Sequence, residues 1–248
     1  MQVRRPHRTG RYGVTMQGVP PLAVHGLTRR YGGFEALRDL DLEVRPGECV
    51  AIVGHNGSGK TTAVRTIAGL LEPSAGRVEV AGAPVHAEPA GIEARGAMAV
   101  VPDSPSLYPD LTVHEHLELV ALAHGVAGDD LDARIDALVS TLDLADKRDA
   151  RPGELSRGMR QKLQLGCALI RPHRLLVLDE PVVGLDPASQ QTLRGLLVEA
   201  KRAGVAVMLT THQLEFARGV ADRAVVLADG VVVADGPYEE VVDKLEAP

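Results

Sequence analysis

Apolar positions along the chain switch between two periods. Cys49-Val50-Ala51-Ile52-Val53 is an unbroken apolar run ending at a glycine-rich turn, the pattern of a strand covered on both faces. Beyond the turn, Val64, Ile67, Ala68 and Leu71 follow helical spacing, and Pro73 stops the element. Arg77 to Val80 and Ala97 to Val101 read as further strands. The character then changes. Thr112-Val113-His114-Glu115 fits a capping box, and Val113, Leu117, Val120 and His124 mark one face of the helix it opens. Leu131, Ile135, Leu138 and Leu142 mark a second helix. A third starts at Ser156 and runs to about Ile170, where Pro172 ends it.

Strand periodicity then returns. Leu175 to Leu178 is a buried strand. Pro187 suits the first turn of a helix whose Leu193, Leu196, Leu197 and Ala200 face the sheet and which Gly204 closes. Val205 to Thr210 is the next strand, and Ala224 to Ala234 reads as a hairpin about Asp229-Gly230. Strands alternating with helices predict an α/β protein with a largely parallel sheet, interrupted over about 105–165 by a helical insertion. No internal repeat or low-complexity linker is present.

Composition narrows the function classes. Of 248 residues 45% are hydrophobic and 24% charged, ordinary for a globular protein. Only Tyr12, Tyr31, Phe34, Tyr108, Phe216 and Tyr238 are aromatic, so Val, Leu, Ile and Ala must build the core. A surface that stacks on nucleic-acid bases needs several aromatic faces, and a net charge of −6 argues further against a nucleic-acid partner. The charge is uneven: Arg4, Arg5, Arg8, Arg11, Arg29 and Arg30 all precede the first acidic residue, Glu35. Residues 1–19 read as a disordered basic tail, with a natural start at Met16 and attraction to an anionic membrane as the other readings. The tail has no apolar core of a secretory signal, and no apolar run reaches membrane-helix length. Cys49 and Cys167 lack metal-ligand spacing and read as buried thiols in a reducing compartment.

Two segments carry chemistry. Gly54-His55-Asn56-Gly57-Ser58-Gly59-Lys60-Thr61 fits the phosphate-binding pattern G-x-x-x-x-G-K-[ST], between a predicted strand and a predicted helix. Small residues let backbone N–H groups turn onto phosphate oxygens, Lys60 would reach the β- and γ-phosphates, and Thr61 would place a hydroxyl on Mg²⁺. Leu175-Leu176-Val177-Leu178-Asp179-Glu180 supplies a partner: Asp179 can hold magnesium through water, and Glu180 is placed to polarise an attacking water.

Gly54 to Thr61, Leu155-Ser156-Arg157-Gly158-Met159, Asp179-Glu180, Gly184-Leu185-Asp186 and Thr211-His212 together resemble the Walker A, signature, Walker B, D-loop and H-loop motifs of ABC-transporter nucleotide-binding subunits. The likeness covers about Leu22 to Gly236. It implies a P-loop NTPase core with an antiparallel β subdomain and a helical insertion, binding ATP and Mg²⁺ within 20–248. It implies that Tyr31 stacks on adenine, that Gly54 to Thr62 hold the phosphates, and that Lys60, Glu180 and His212 are catalytic. Ser156, Arg157, Gly158 and Met159 would contact the ATP of an opposite subunit, and Asp186 would link the two sites. Thr61, Asp179 and Asp103 would serve the metal. A second nucleotide-binding subunit and an integral membrane permease on another chain are the implied partners, at the cytoplasmic face of the membrane. The permease would be reached near Asp103 to Thr112, with Tyr108 a candidate contact.

Two motifs depart from the family pattern. Arg157 and Met159 replace the third and fifth residues of Leu-Ser-Gly-Gly-Gln, and Asp103 stands where the family carries Gln. Both bear on the strength of coupling more than on hydrolysis. The Ser-Arg-Gly-Met signature resembles subunits of drug or antibiotic exporters; an importer subunit and a soluble ATPase of the iron–sulfur assembly type are the alternatives.

Overall fold

In a computed structural model that describes residues 18–246, the central strands divide their side chains between two cores. Strand β3 (Cys49–Val53) sends Cys49, Ala51 and Val53 to one and Val50 and Ile52 to the other. Pleating makes that alternation automatic, and a strand buried on both faces must be apolar throughout.

Two antiparallel strands open the described chain, β1 (Leu22–Tyr31) and β2 (Phe34–Val44). After β3 come α1 (Lys60–Ile67), β4 (Ala75–Val80), β5 (Ala83–Pro84), α2 (Ala90–Gly96) and β6 (Met98–Val101). Then follow α3 (Val113–Ala123), α4 (Leu131–Thr141) and α5 (Arg157–Leu169), joined without intervening strands. The chain closes with β7 (Leu175–Asp179), α6 (Pro187–Arg202), β8 (Ala206–Thr211), the short α7 (Leu214–Ala217), β9 (Arg223–Ala228), β10 (Val231–Pro237) and α8 (Tyr238–Glu246).

Six strands form one sheet in the order β10-β9-β3-β8-β7-β6, parallel except for the β9–β10 hairpin. A four-stranded antiparallel sheet, β2-β1-β4-β5, lies over one face, and Leu22, Leu27, Leu37 and Leu40 share a core there with α1. The other face packs against α6 and the insertion helices, whose Leu117, Ile135, Leu138 and Leu163 join Leu176, Leu178, Val207 and Leu209 in one cluster. The fold is the α/β arrangement expected, with both the antiparallel sheet and the helical insertion present.

Local chemistry explains the helix starts. At α3 the Thr112 hydroxyl accepts from the Glu115 N–H at 3.2 Å while the Glu115 carboxylate accepts from the Thr112 N–H at 2.7 Å. Ser156 caps α5 by accepting from Met159 N, and Asp186 caps α6 by accepting from Ser189 N at 2.8 Å. Two expectations need correction. Helix α1 ends at Ile67 rather than near Leu71, because Gly69 turns at φ +75° and the Leu70 and Leu71 N–H groups bond back to Arg65 O. On α3 the inward face uses His116 and Ala121, while His124 is exposed at the C-terminal end. The His116 Nδ1–H donates to Thr112 O and its Nε2 accepts from Tyr108 N, so the buried imidazole is satisfied at both nitrogens. The basic tail and the alternative start at Met16 lie outside the described residues, apart from Gly18 and Val19.

Candidate nucleotide site

The turn after β3 closes back on the head of α1. Gly59, at φ +106°, is a conformation that only glycine adopts without strain, and a Cβ there would sit 2.6 Å from Ala36 O. The N-terminal end of α1 is therefore pressed against β2. The Lys60 ammonium folds over the loop, donating to Gly54 O at 2.7 Å and His55 O at 3.1 Å. Ser58 is fully buried, and its hydroxyl has no hydrogen-bond partner among the described residues. A helix N-terminus and a buried cation over glycine-rich backbone make a cradle that an anion completes.

Across the cradle stands the end of β7. Asp179 is buried, and its Oδ1 accepts from the Thr210 hydroxyl at 2.5 Å. Burial pushes its carboxyl above the usual range; hydroxyls of Thr210 and Thr61 pull it back, and the charges of Asp103 and Glu180 push it up again. Glu180 sits at φ +47°, its N–H held by Thr210 Oγ1 at 3.0 Å. Its carboxylate joins two other groups: Oε1 lies 3.6 Å from Lys60 Nζ, and Oε2 accepts from His212 Nδ1 at 2.8 Å. The His212 backbone N–H reaches the same oxygen at 3.3 Å. Lys60, Glu180 and His212 thus form one chain of charge-assisted contacts. Strained backbone at Glu180 is held by the β8 end that also holds Asp179.

The cleft has a volume of about 440 Å³, within the range of ligand pockets. Asn56, Gly57, Gly59, Lys60, Thr61 and Thr62 form its floor, and Asp103 and Glu180 its far wall. Tyr31, 45% exposed, stands at its mouth, with the Arg29 guanidinium 4.7 Å from the ring centroid. Phe34 pairs in register with Tyr31 across the β1–β2 turn and lines the same mouth. His55 does not line the cleft, its Nε2 lying 4.0 Å from Asp229 on the β9–β10 turn.

The signature residues lie elsewhere. Ser156, Arg157, Gly158 and Met159 line no part of this cleft, and neither does Asp186. Ser156 and Arg157 are exposed at the head of α5, and Met159 packs on the core. A Cβ on Gly158 would sit 2.7 Å from Gly184 O, so the signature turn lies directly on the loop that leads to Asp186. Sequence reasoning missed Phe34, Ala36 and Thr210. Thr210 had a signal: a buried strand ending Thr-Thr-His places a hydroxyl one pleat before the histidine. Phe34 had only its rarity as an aromatic, and Ala36 had none.

Comparison with known proteins identifies the family. Residues 37–183 match the family described as ABC transporter. The Nod factor export ATP-binding protein I of Burkholderia thailandensis is 36% identical over 91% of this chain and 73% of its own length. The SkfA peptide export ATP-binding protein SkfE of Bacillus subtilis is 34% identical over 86% of this chain and 88% of its own. A solved structure, the ATP binding subunit of an ABC transporter, superposes with a TM-score of 0.83 at 34% identity, covering 90% of this chain and 92% of that one. The chain belongs to the ABC transporter family, as one of its ATP-binding, ATP-hydrolysing subunits.

Proposed function

We propose that this chain powers export through a separate integral membrane permease, by hydrolysing ATP in the cleft between Lys60 and Glu180. The observation that carries the hydrolytic reading is the Lys60–Glu180–His212 chain of contacts at 3.6 and 2.8 Å. Phosphate oxygens would draw Lys60 Nζ from the loop carbonyls and from Glu180, freeing that carboxylate for water. Glu180 then takes the proton of a water attacking the γ-phosphorus, the bond to the β-phosphate oxygen breaks, and ADP and phosphate leave. His212, bonded to the same carboxylate, holds it in place.

Tyr31 offers adenine its free ring face, since Arg29 lies over the other. The Thr61 hydroxyl and the carboxylates of Asp179 and Asp103 are hard oxygen donors suited to Mg²⁺, and repulsion among Asp179, Asp103 and Glu180 is what a cation relieves. Among the described residues no group of three or more His, Cys, Asp or Glu is arranged to hold a metal. Bound there, magnesium would supply charge neutralisation at the phosphate oxygens.

Ser156, Arg157, Gly158 and Met159 line no part of this chain's own cleft, which supports their use on the ATP of a second subunit, in a homo- or heterodimer with Asp186 between the sites. Among the described residues no helix is long and apolar enough to cross a membrane. The relatives named for export, and the exposed Tyr108 in the loop before α3, support a permease docked near 103–112 at the cytoplasmic face.

Glu180→Gln tests the hydrolytic core. Turnover should fall by about 10² to 10⁴, ATP affinity should persist, and size-exclusion chromatography with ATP should show a trapped dimer. A rate equal to wild type removes Glu180 as the base.

A further inference from the structure

His212 heads a short irregular stretch, 212–218, between β8 and β9. Helix α7 within it has four residues, too few to hold its shape alone, so packing must fix it. Two sets of contacts do so. From α6, Arg194 donates to Glu215 O and lies 5.5 Å from the Phe216 ring centroid. From α8, the Tyr238 hydroxyl donates to Leu214 O at 2.6 Å. Arg218, whose N–H donates to that same carbonyl at 3.1 Å, pairs with Glu215 within the stretch and with Glu239 and Glu246 of α8.

Tyr238 is 2% exposed and heads the largest fully buried side chains in a protein that has only six aromatics. Its backbone N–H is fixed in turn on Asp222 O at 3.1 Å, at the start of β9. A buried phenol needs a hydrogen-bond acceptor, and the one supplied is the carbonyl two residues beyond His212.

We propose that Tyr238 is a positioning residue for ATP hydrolysis: its hydroxyl, set by α8, anchors the backbone beyond His212 and so keeps that imidazole on Glu180. The proposal rests on the reading of Glu180 and His212 as the hydrolytic pair. Tyr238 lines no part of the cleft, so its influence falls on the catalytic step and not on ATP binding.

The test is a double-mutant cycle in the full chain, with Tyr238→Phe, His212→Ala and the pair. Single-turnover hydrolysis of radiolabelled ATP measures rates below the steady-state limit, and steady-state kinetics supply KM. Tyr238→Phe should lower the rate about threefold to tenfold, the scale of one hydrogen bond, with KM for ATP within about twofold of wild type. In the His212→Ala background it should cause no further loss. Hydrogen exchange should quicken at the 213–218 amides in Tyr238→Phe. An equal loss in both backgrounds, or lower thermal stability with an unchanged rate, overturns the proposal. A lower rate with unaltered exchange over 213–218 does so too. Full turnover in His212→Ala alone overturns the reading of the hydrolytic pair, and the positioning role with it.

Discussion

Asp179 shows how much of the cleft is built against its own stability. The residue is buried at the end of β7, and desolvation raises its carboxyl more than the Thr210 and Thr61 hydroxyls lower it. A carboxyl raised in the folded state contributes stability that is present below its unfolded value and lost as pH rises through the folded one. At pH 7 the ionised group therefore weighs against folding. Asp179→Asn, isosteric with the neutral form, should raise the nucleotide-free Tm at pH 7 by about 2–4 °C, the shift about 1 kcal/mol produces in a chain of this size. The advantage over wild type should shrink as pH falls toward 4. The same variant should lose the added Tm that Mg²⁺ with ATP gives wild type. Calorimetric scans at pH 7 and pH 4.5, with and without Mg-ATP, measure all three; a variant less stable than wild type at pH 7 contradicts the account. Asp179 and Glu180 were readable because four apolar residues lead into two acids. Thr210 showed only as a hydroxyl at the end of a buried strand; that it joins the two acids was not readable, because they are 30 and 31 residues away and meet it only when β7 and β8 pair.

Among the elements, those with strong punctuation were legible and those with irregular pairing were not. Thr112, Ser156 and Asp186 each cap a helix as their spacing to an N3 residue requires, and Gly204 ends α6 at φ +86°. Strand β2 alternates only over Leu40 to Val44, and β1 shows no clear alternation, because their pairing shifts register three times, between Val24 and Leu27, Leu27 and Arg29, and Arg29 and Arg30. Each bulge flips the inward face, so period two disappears from the sequence while the pairing survives. Helix α8 follows β10 without a break, with Gly236-Pro237 marking the junction. The caps can be separated by function. Ser156→Ala removes one acceptor for an orphan N–H of α5 and should lower Tm by about 2–4 °C, as expected for about 1 kcal/mol. Thr112→Ala should do the same at α3. Only Ser156→Ala should also cut ATP turnover, because the head of α5 is the surface assigned to the second subunit. ATP affinity should hold in both, since neither residue lines the cleft. Equal turnover in the two variants would mean that Ser156 is a cap and nothing more.

At the scale of the whole molecule, the helical insertion is not a loose appendage. Leu117, Ile135, Leu138 and Leu163 share one apolar cluster with strands β7 and β8, whose ends carry Asp179, Glu180 and His212. The loop carrying Asp103 and Tyr108 joins β6 to that insertion, with Asp103 on the cleft and Tyr108, 62% exposed, on the surface. A partner at Tyr108 therefore sits a few residues of chain from the nucleotide cleft. The charge balance says what kind of attachment to expect. The net charge is −6, and beyond the arginine-rich first 34 residues acidic groups outnumber basic ones. An anionic lipid surface would repel that body, so retention at a membrane must come from a protein, or else from the basic N-terminal arginines. Salt separates the two. At 1 M the screening length shrinks to about 3 Å, which abolishes attraction between arginines and lipid headgroups but leaves a packed protein interface largely intact. The chain should therefore stay with sedimented membranes through a 1 M salt wash. Mild detergent should release it together with a multi-spanning protein, and substitution of Tyr108 by Glu should weaken that association by about tenfold or more, as burial of a charge at an interface core does. Release by salt alone would assign the membrane contact to the arginines. A chain found only in the soluble fraction would remove the permease from the proposal and leave an ATPase that drives some other assembly.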